Sequence, residues 1–388
     1  MEPTVVVTHR GAERVRYGHP WVYRSDVADA RADGGATVAV LGPRGRIVGR
    51  ALFSDRSEIA LRMLTRGDEP AGLELWRTRL ARAIAYRAGL DIDATAYRLV
   101  HGEGDLLPSL IVDRYGEHLV VQALSQGTDR LLPEIARILV ELTTPAGVLA
   151  RNDPRVRRLE GLEQRVALLY GTVPESIAVR EGAVTFEIDP WRGQKTGAFL
   201  DQRENHAAAA RYARGRLLDG FTYQGGFALA LASRCDDVLA LDVSEDAVAA
   251  VRRNADRNSL GHVQARAVNV FDELRELERA GETFDTIVLD PPAFAKSKAS
   301  VPKAIAGYKE INLRALKLLA PGGHLVTCSC SYHVDEGTFA DIVANAAIDV
   351  HATMSLVERR LQARDHPVLV GVPETAYLKC LILRKLET

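Results

Sequence analysis

Residues 215–244, GRLLDGFTYQGGFALALASRCDDVLALDVS, decide the fold. An apolar run of strand length, GRLLDGF (215–221), leads into a loop with two glycines, then into the helical stretch FALALAS. A second run, DVLALDVS (237–244), ends on an acid and a serine. Strand, loop, helix and strand at this spacing make one βαβ unit of a parallel sheet. The alternation continues downstream. VQARAVNVF (263–271), FDTIVLDPP (284–292) and HLVTCSCS (324–331) read as further strands. EDAVAAVRRNADRN and YKEINLRALKLLA read as helices, the second stopped by Pro321-Gly322-Gly323. The expectation is a doubly wound α/β domain that binds ligands beyond the carboxyl ends of its strands.

Upstream the pattern changes twice. LELWRTRLARAIAYRAGL, from residue 73, has apolar residues three and four apart and reads as an amphipathic helix. The hairpin LPSLIVDRY, Gly116, EHLVVQAL follows, then the helix DRLLPEIARILVELTT and the strand GVLARN, which together suggest a small α+β domain. Before residue 66 the runs VVVT, WVYRSDV, ATVAVL, RIVGRALF and IALRML are short and separated by turn signals such as ADGG and GPRG, the pattern of a small β-barrel. Three domains are expected, over residues 1–68, 69–188 and 189–388.

The net charge of −1 announces no nucleic-acid binder, but the distribution is uneven. Residues 1–66 carry eleven arginines against seven acids. Such a module can track phosphates, or it is an ordinary arginine-rich surface. No apolar run approaches the ~20 residues that span a bilayer, and the N-terminus lacks the apolar segment of a signal peptide. Cys235, Cys328, Cys330 and Cys380 are too few for a secreted disulfide framework and lack the paired CxxC spacing of a zinc site. These features fit a cytoplasmic protein.

The residues suited to chemistry fall at the expected carboxyl ends. Asp219, Phe221, Tyr223, Gly225 and Gly226 surround the first loop, where the glycines permit a tight turn and close approach to a ligand. Asp242, after the second strand, can accept hydrogen bonds from two ribose hydroxyls, or it caps the next helix. The loop is not GxGxxG, which disfavours a nicotinamide dehydrogenase. An acid before the loop, as Asp219 is, suits S-adenosylmethionine (SAM). Asn269 is placed to meet adenine, or it is a turn residue. Asp290, held by Pro291 and Pro292 and followed by Phe294 and Lys296, can present hydrogen-bonding groups to a base.

Cys328 and Cys330 separate reaction classes. C5 of cytosine is too weak a nucleophile to take a methyl group directly; a thiolate added at C6 activates it. Amino-group methylation needs no thiol. Strand alternation puts both cysteines on one face, with Cys330 nearer the carboxyl end. Cys330 is the candidate nucleophile and Cys328 a small core residue, the fate that is also open to Cys330. Lys195 and Arg203 are candidate sources of positive potential.

Taken together, HPWVYRSDV (19–27), RLVHGEGDLLPSLIVDRYG (98–116), GQKTGAFLDQREN (193–205), DPPAFAKSK (290–298), GYKEIN (307–312), CSCS (328–331), DHPV (365–368) and PETAYLK (373–379) resemble the large-subunit ribosomal RNA cytosine-5 methyltransferases of the RlmI type, end to end. The resemblance implies a PUA-like RNA-binding barrel, a central α+β domain and a Rossmann-like class I methyltransferase domain. It implies SAM as methyl donor, 23S ribosomal RNA as substrate, Cys330 as nucleophile with Asp290 beside the base, and Lys195, Gln202 and Arg203 in the SAM pocket. A homodimer is compatible with the resemblance. Ala198, Cys328 and Asn269 depart from its pattern of an aromatic, a phenylalanine and an aspartate. Two rivals remain: a guanine-N methyltransferase, and an RNA-binding or assembly factor with a vestigial SAM fold.

Overall fold

The alternating segments after residue 215 form one seven-stranded sheet in the computed structural model, which describes residues 2–295 and 297–386. Numbered within this sheet, the strands are β1 (Arg216–Gly220), β2 (Asp237–Asp242), β3 (Val263–Ala267), β4 (Phe284–Leu289), β5 (Leu319–Ser329), β6 (Met354–Arg360) and β7 (Lys379–Lys385). Their order across the sheet is 3-2-1-4-5-7-6. β1 to β5 are parallel and β7 runs antiparallel to both β5 and β6. The order reverses between β1 and β4, so a crevice opens at their carboxyl ends.

Both faces of the sheet are packed, which explains why β1, β2, β4 and β5 read as near-continuous apolar runs. On one face Leu218, Leu241, Ile287 and Leu325 meet Tyr308, Ile311 and Leu316 of the helix Val301–Leu318 and Phe339 of Glu336–Asp349. On the other, Leu217, Ala240, Val288 and Val326 meet Ala208, Phe227, Leu231 and Val251.

Two expectations need correction. VQARAVNVF is strand only to Ala267; Val270 begins the helix Val270–Arg279, capped by Asn269, whose side chain accepts from Phe271 N at 3.0 Å. Pro321-Gly322-Gly323 does not end the preceding helix, which stops at Leu318. Phe284 pairs with Leu319 and Thr286 with His324, so the Pro-Gly-Gly stretch is looped out within β5 opposite Asp285.

The chain folds as two compact units. One comprises Arg180–Glu187, Asp201–Ala363 and Ala376 onward; the other comprises the N-terminal residues to Val179 with Ile188–Leu200 and Arg364–Thr375. The second holds two sheets. Six strands, ordered Trp21–Tyr23, Ile59–Met63, Ile47–Phe53, Thr37–Leu41, Thr4–Val7 and Val27–Arg31, enclose Val5, Val7, Val22, Val38, Val40 and Leu61. A five-stranded sheet of Ala96–His101, Leu110–Tyr115, His118–Ala123, Gly147–Asn152 and Arg165–Gly171 packs with the helices Leu73–Ala88 and Gln126–Thr143. Leu52 and Leu64 join this second core, so the first sheet is fused to it. Asp113 accepts from Arg98 and Thr196, and Asp365 from the Arg98 amide at 2.8 Å. Three separate sequence motifs thus meet in one buried ionic network. No helix among the described residues is long and apolar enough to cross a membrane.

Candidate active site

Asp219 lies on β1 between the buried Ala240 of β2 and Val288 of β4, and is itself 1% exposed. Its Oδ2 accepts from Thr222 Oγ1 at 2.6 Å and from Ala228 N at 2.9 Å. Its Oδ1 is buried with no hydrogen-bond partner among the described residues. Burial pushes the carboxyl up to about 7, against the pull of the two hydrogen bonds, and Asp290 adds in the same direction as burial. A buried acceptor left open is costly unless a donor arrives. A ligand ammonium would supply one.

The loop after Asp219 is shaped by unusual backbone. Phe221, Tyr223 and Gly225 have φ of 67°, 50° and 87°. Only the last is free of the cost a side chain incurs there. The strained pair sits at the mouth of β1, a location where such strain marks functional loops. A Cβ on Gly226 would stand 2.7 Å from His206 Cε1, so the turn is open to close approach only because that position is glycine.

Asp242 Oδ2 accepts from Tyr223 N and Oδ1 from Ser244 N, both at 2.9 Å. Ser244 caps the helix Glu245–Arg257, so the cap is not the role of Asp242. Each of its oxygens keeps a lone pair for a diol. Asn269 is exposed; its oxygen is used in its cap, and its amide N–H groups face no such demand. Two carboxylate acceptors and an amide donor fit a ligand with an ammonium, a ribose and an adenine.

β4 ends at Leu289, so Asp290 begins the loop, with its N 3.3 Å from Gly220 O on β1. Pro291 is buried and Pro292 exposed. Phe294 packs on Tyr308 with ring centroids 4.6 Å apart and joins Phe221 and Phe271 in an aromatic cluster. Lys296 lies outside the described residues. β5 ends at Ser329, which puts Cys330 in the loop just beyond the strand, half-buried, with Sγ 4.0 Å from Pro291 O. Ser331 fixes that loop: its Oγ accepts from Ala295 N at 3.1 Å and lies 2.9 Å from Tyr308 OH. Cys328 is wholly buried opposite Cys380, and burial and that neighbour push its thiol well above the ordinary range. Of the two, only Cys330 can meet a substrate.

Gln202 and Arg203 are buried at the start of the helix Arg203–Ala210 in the same unit; the Gln202 side chain reaches Cys328 and Asn205. Lys195 belongs to the other unit, with φ of 54° and its ammonium 4.3 Å from the Phe199 ring centroid. Sequence reading missed His206 and Lys379. His206 Nδ1 is 2.7 Å from Glu181 Oε1, and the ring packs edge-on against Phe227. Burial opposes its charge, but Glu181, aided by Asp290 and Asp219, outweighs burial and raises it above the ordinary imidazole value. Lys379 Nζ donates to Ser331 O at 2.7 Å and to Tyr377 O at 3.0 Å. Both residues adjoin or lie within stretches that carry the resemblance, which was the available signal.

A Rossmann-like sheet with an acid on β1, a glycine turn and an acid at the end of β2 is the architecture of an enzyme that draws on SAM. The chain belongs to the S-adenosylmethionine-dependent methyltransferase family, whose model matches residues 97–384, while a PUA-like domain model matches residues 5–66. It is 40% identical to the ribosomal RNA large subunit methyltransferase I of Tolumonas auensis, over 99% of this chain and all of that one. It is 39% identical to the protein of the same name from Aeromonas hydrophila, over 94% and 95% of the two chains. A crystal structure described as a methyltransferase complexed with SAH shares the fold, at a TM-score of 0.85 and 19% identity over 98% of this chain and 99% of that one.

Proposed function

We propose that the protein methylates C5 of a cytosine in 23S ribosomal RNA in the cytoplasm, with Cys330 as covalent nucleophile. The observation that carries this is the half-buried Cys330 thiol 4.0 Å from the Pro291 carbonyl, one strand from Asp290 and two from Asp219. The names of the relatives supply the class of substrate. In this reading residues 1–68 are the RNA-binding module, 69–188 the central domain and 189–388 the methyltransferase domain.

Asp219, Phe221, Tyr223, Gly225, Gly226, Asp242 and Asn269 would hold the cofactor, together with Gln202, Arg203 and Asp290. SAM, when bound, supplies an electrophilic methyl group. Asp219 Oδ1 would receive its ammonium, and Asp242 its ribose hydroxyls. Pro291, Pro292, Phe294 and Lys296 border the base, which must leave its stack at a cost of a few kcal/mol. Asp290 would hold the base edge while the Cys330 thiolate forms a bond to C6, and the activated C5 would accept the methyl group as its bond to the donor's sulfur breaks. Loss of the C5 proton to a base then restores the C5=C6 bond and expels the thiolate.

A guanine-N enzyme would need no thiol. Transcripts containing 5-fluorocytidine cannot lose a proton from C5 and should trap a covalent complex with wild-type protein and SAM. Cys330→Ala should form none and should leave no 5-methylcytosine in bisulfite maps of 23S RNA. Undiminished methyl transfer by that variant would overturn the reading.

A further inference from the structure

Lys379 opens β7 directly opposite Ser329, the last residue of β5. It is 4% exposed, yet it carries an ammonium. Two of its three protons are accounted for by the carbonyls of Ser331 and Tyr377. The first carbonyl belongs to the residue after Cys330, so the side chain reaches from β7 to the loop that follows β5 and holds the thiol. A buried lysine used only to satisfy two carbonyls would be a poor exchange, since burial of an unpaired cation costs more than two neutral hydrogen bonds return.

Among the described residues the charges around it are few. Cys330 and Asp335 are the groups that act on the Lys379 ammonium, both favouring the charge; burial outweighs them and pushes it down to about 8. Tyr308 also lies near the thiol: burial raises its phenol, Ser331 bonds it at 2.9 Å, and negative charge on Cys330 acts in the same direction as burial. Asp290 bears on the neighbouring Cys328 and, with the other acids of the crevice, opposes any further negative charge. Asp335 is occupied in part as the cap of Glu336–Asp349, accepting from Thr338 N at 2.7 Å.

We infer that Lys379 is a positioning residue for Cys330, clamping the loop that bears the thiol and supplying the positive charge against which the thiolate forms. The inference rests on the proposed role of Cys330 for its meaning, but not for its test. Nothing is transferred to or from Lys379; the thiol proton leaves to solvent and the ammonium stays on the lysine.

The test is the pH dependence of Cys330 alkylation by iodoacetamide, read by intact mass, with Cys330→Ala as the background for the three buried thiols. Lys379→Gln keeps donors for both carbonyls and removes the charge. It should move the alkylation midpoint up by about one pH unit, which is about tenfold slower reaction at pH 7. Lys379→Arg should restore the wild-type midpoint. A folded Lys379→Gln protein with an unchanged midpoint would overturn the inference, leaving the lysine a structural clamp. Should that variant not fold, the reciprocal effect decides. Coupling is symmetric, so Cys330→Ser must lower the Lys379 titration midpoint seen by 15N NMR, and no change there would equally overturn it. Because alkylation needs no RNA, a shifted midpoint alongside a methylating Cys330→Ala protein would reject the nucleophile while keeping the lysine's assignment.

Discussion

Asp219 concentrates the tension of the site in one side chain. Its folded value of about 7 stands above the ordinary carboxyl value of 3.8 that it regains on unfolding. The folded protein therefore holds a proton that the unfolded chain has lost between about pH 4 and pH 7. Raising the pH through that window costs stability, by at most about 1.4 kcal/mol per pH unit, and above pH 7 the loss is complete. Asp219→Asn has no charge to bury. Calorimetric melting at pH 5, 6.5 and 8 should show the wild type losing stability relative to this variant as the pH rises. Saturating SAM should abolish that trend in the wild type, because an ammonium at Oδ1 favours the charged form. The variant should bind SAM at least ~100-fold more weakly at pH 8 by titration calorimetry, the scale expected for a buried charged contact. A stability difference that does not vary with pH would refute the account.

At the scale of elements, the parallel strands were legible because burial on both faces writes apolar runs into the sequence, and the acids and glycines at their ends mark the crevice. Boundaries were less legible where one residue serves two elements. Asn269 looks like a strand end, but it caps a helix that begins at Val270, inside the run whose hydropathy reads as strand. The helix His9–Arg16 was invisible because its arginines mask a face on which only Gly11 and Val15 are buried. In the site, Asp219 and Cys330 stood out by motif, whereas His206 and Lys379 act through partners distant in sequence, Glu181 and Ser331. The Pro-Gly-Gly stretch misled most, since it carries a helix-stop signal and is a bulge. Its geometry gives a test. A Cβ on Gly323 would stand 2.7 Å from Asp285 O and 2.9 Å from Ala320 O, both backbone atoms that cannot swing away. Gly323→Ala should cost about 1–3 kcal/mol, the range for overpacking a tight interior. Urea unfolding should show a lower midpoint at unchanged slope, and a midpoint equal to wild type would mean that the bulge yields without cost.

Across the whole molecule the charge is nearly balanced, so any grip on RNA must come from where charges are left exposed. Most of the N-terminal arginines are already engaged. Arg10 pairs with Asp26, Arg31 with Asp29, Arg50 with Glu2 and Asp68, and Arg62 with the buried Glu160, while Arg24 serves the carbonyls of Ser54 and Ser57. Arg44 and Arg46 differ. Both are exposed on the turn around Pro43–Gly45, and among the described residues neither has an ion pair. An arginine with no carboxylate to neutralise it can release counterions from RNA; one already paired contributes little. Reversing both, as R44E with R46E, removes two such contacts and touches no core. On the proposed function, anisotropy titrations with a 23S RNA fragment should show weaker binding. The slope of log K against log salt should fall in magnitude by about 1.4, since each single-strand phosphate contact contributes about 0.7. Melting should be unchanged, because surface substitutions of this kind stay within about 0.5 kcal/mol. An unaltered salt slope would mean that the N-terminal module meets RNA through another face, or that it does not meet it at all.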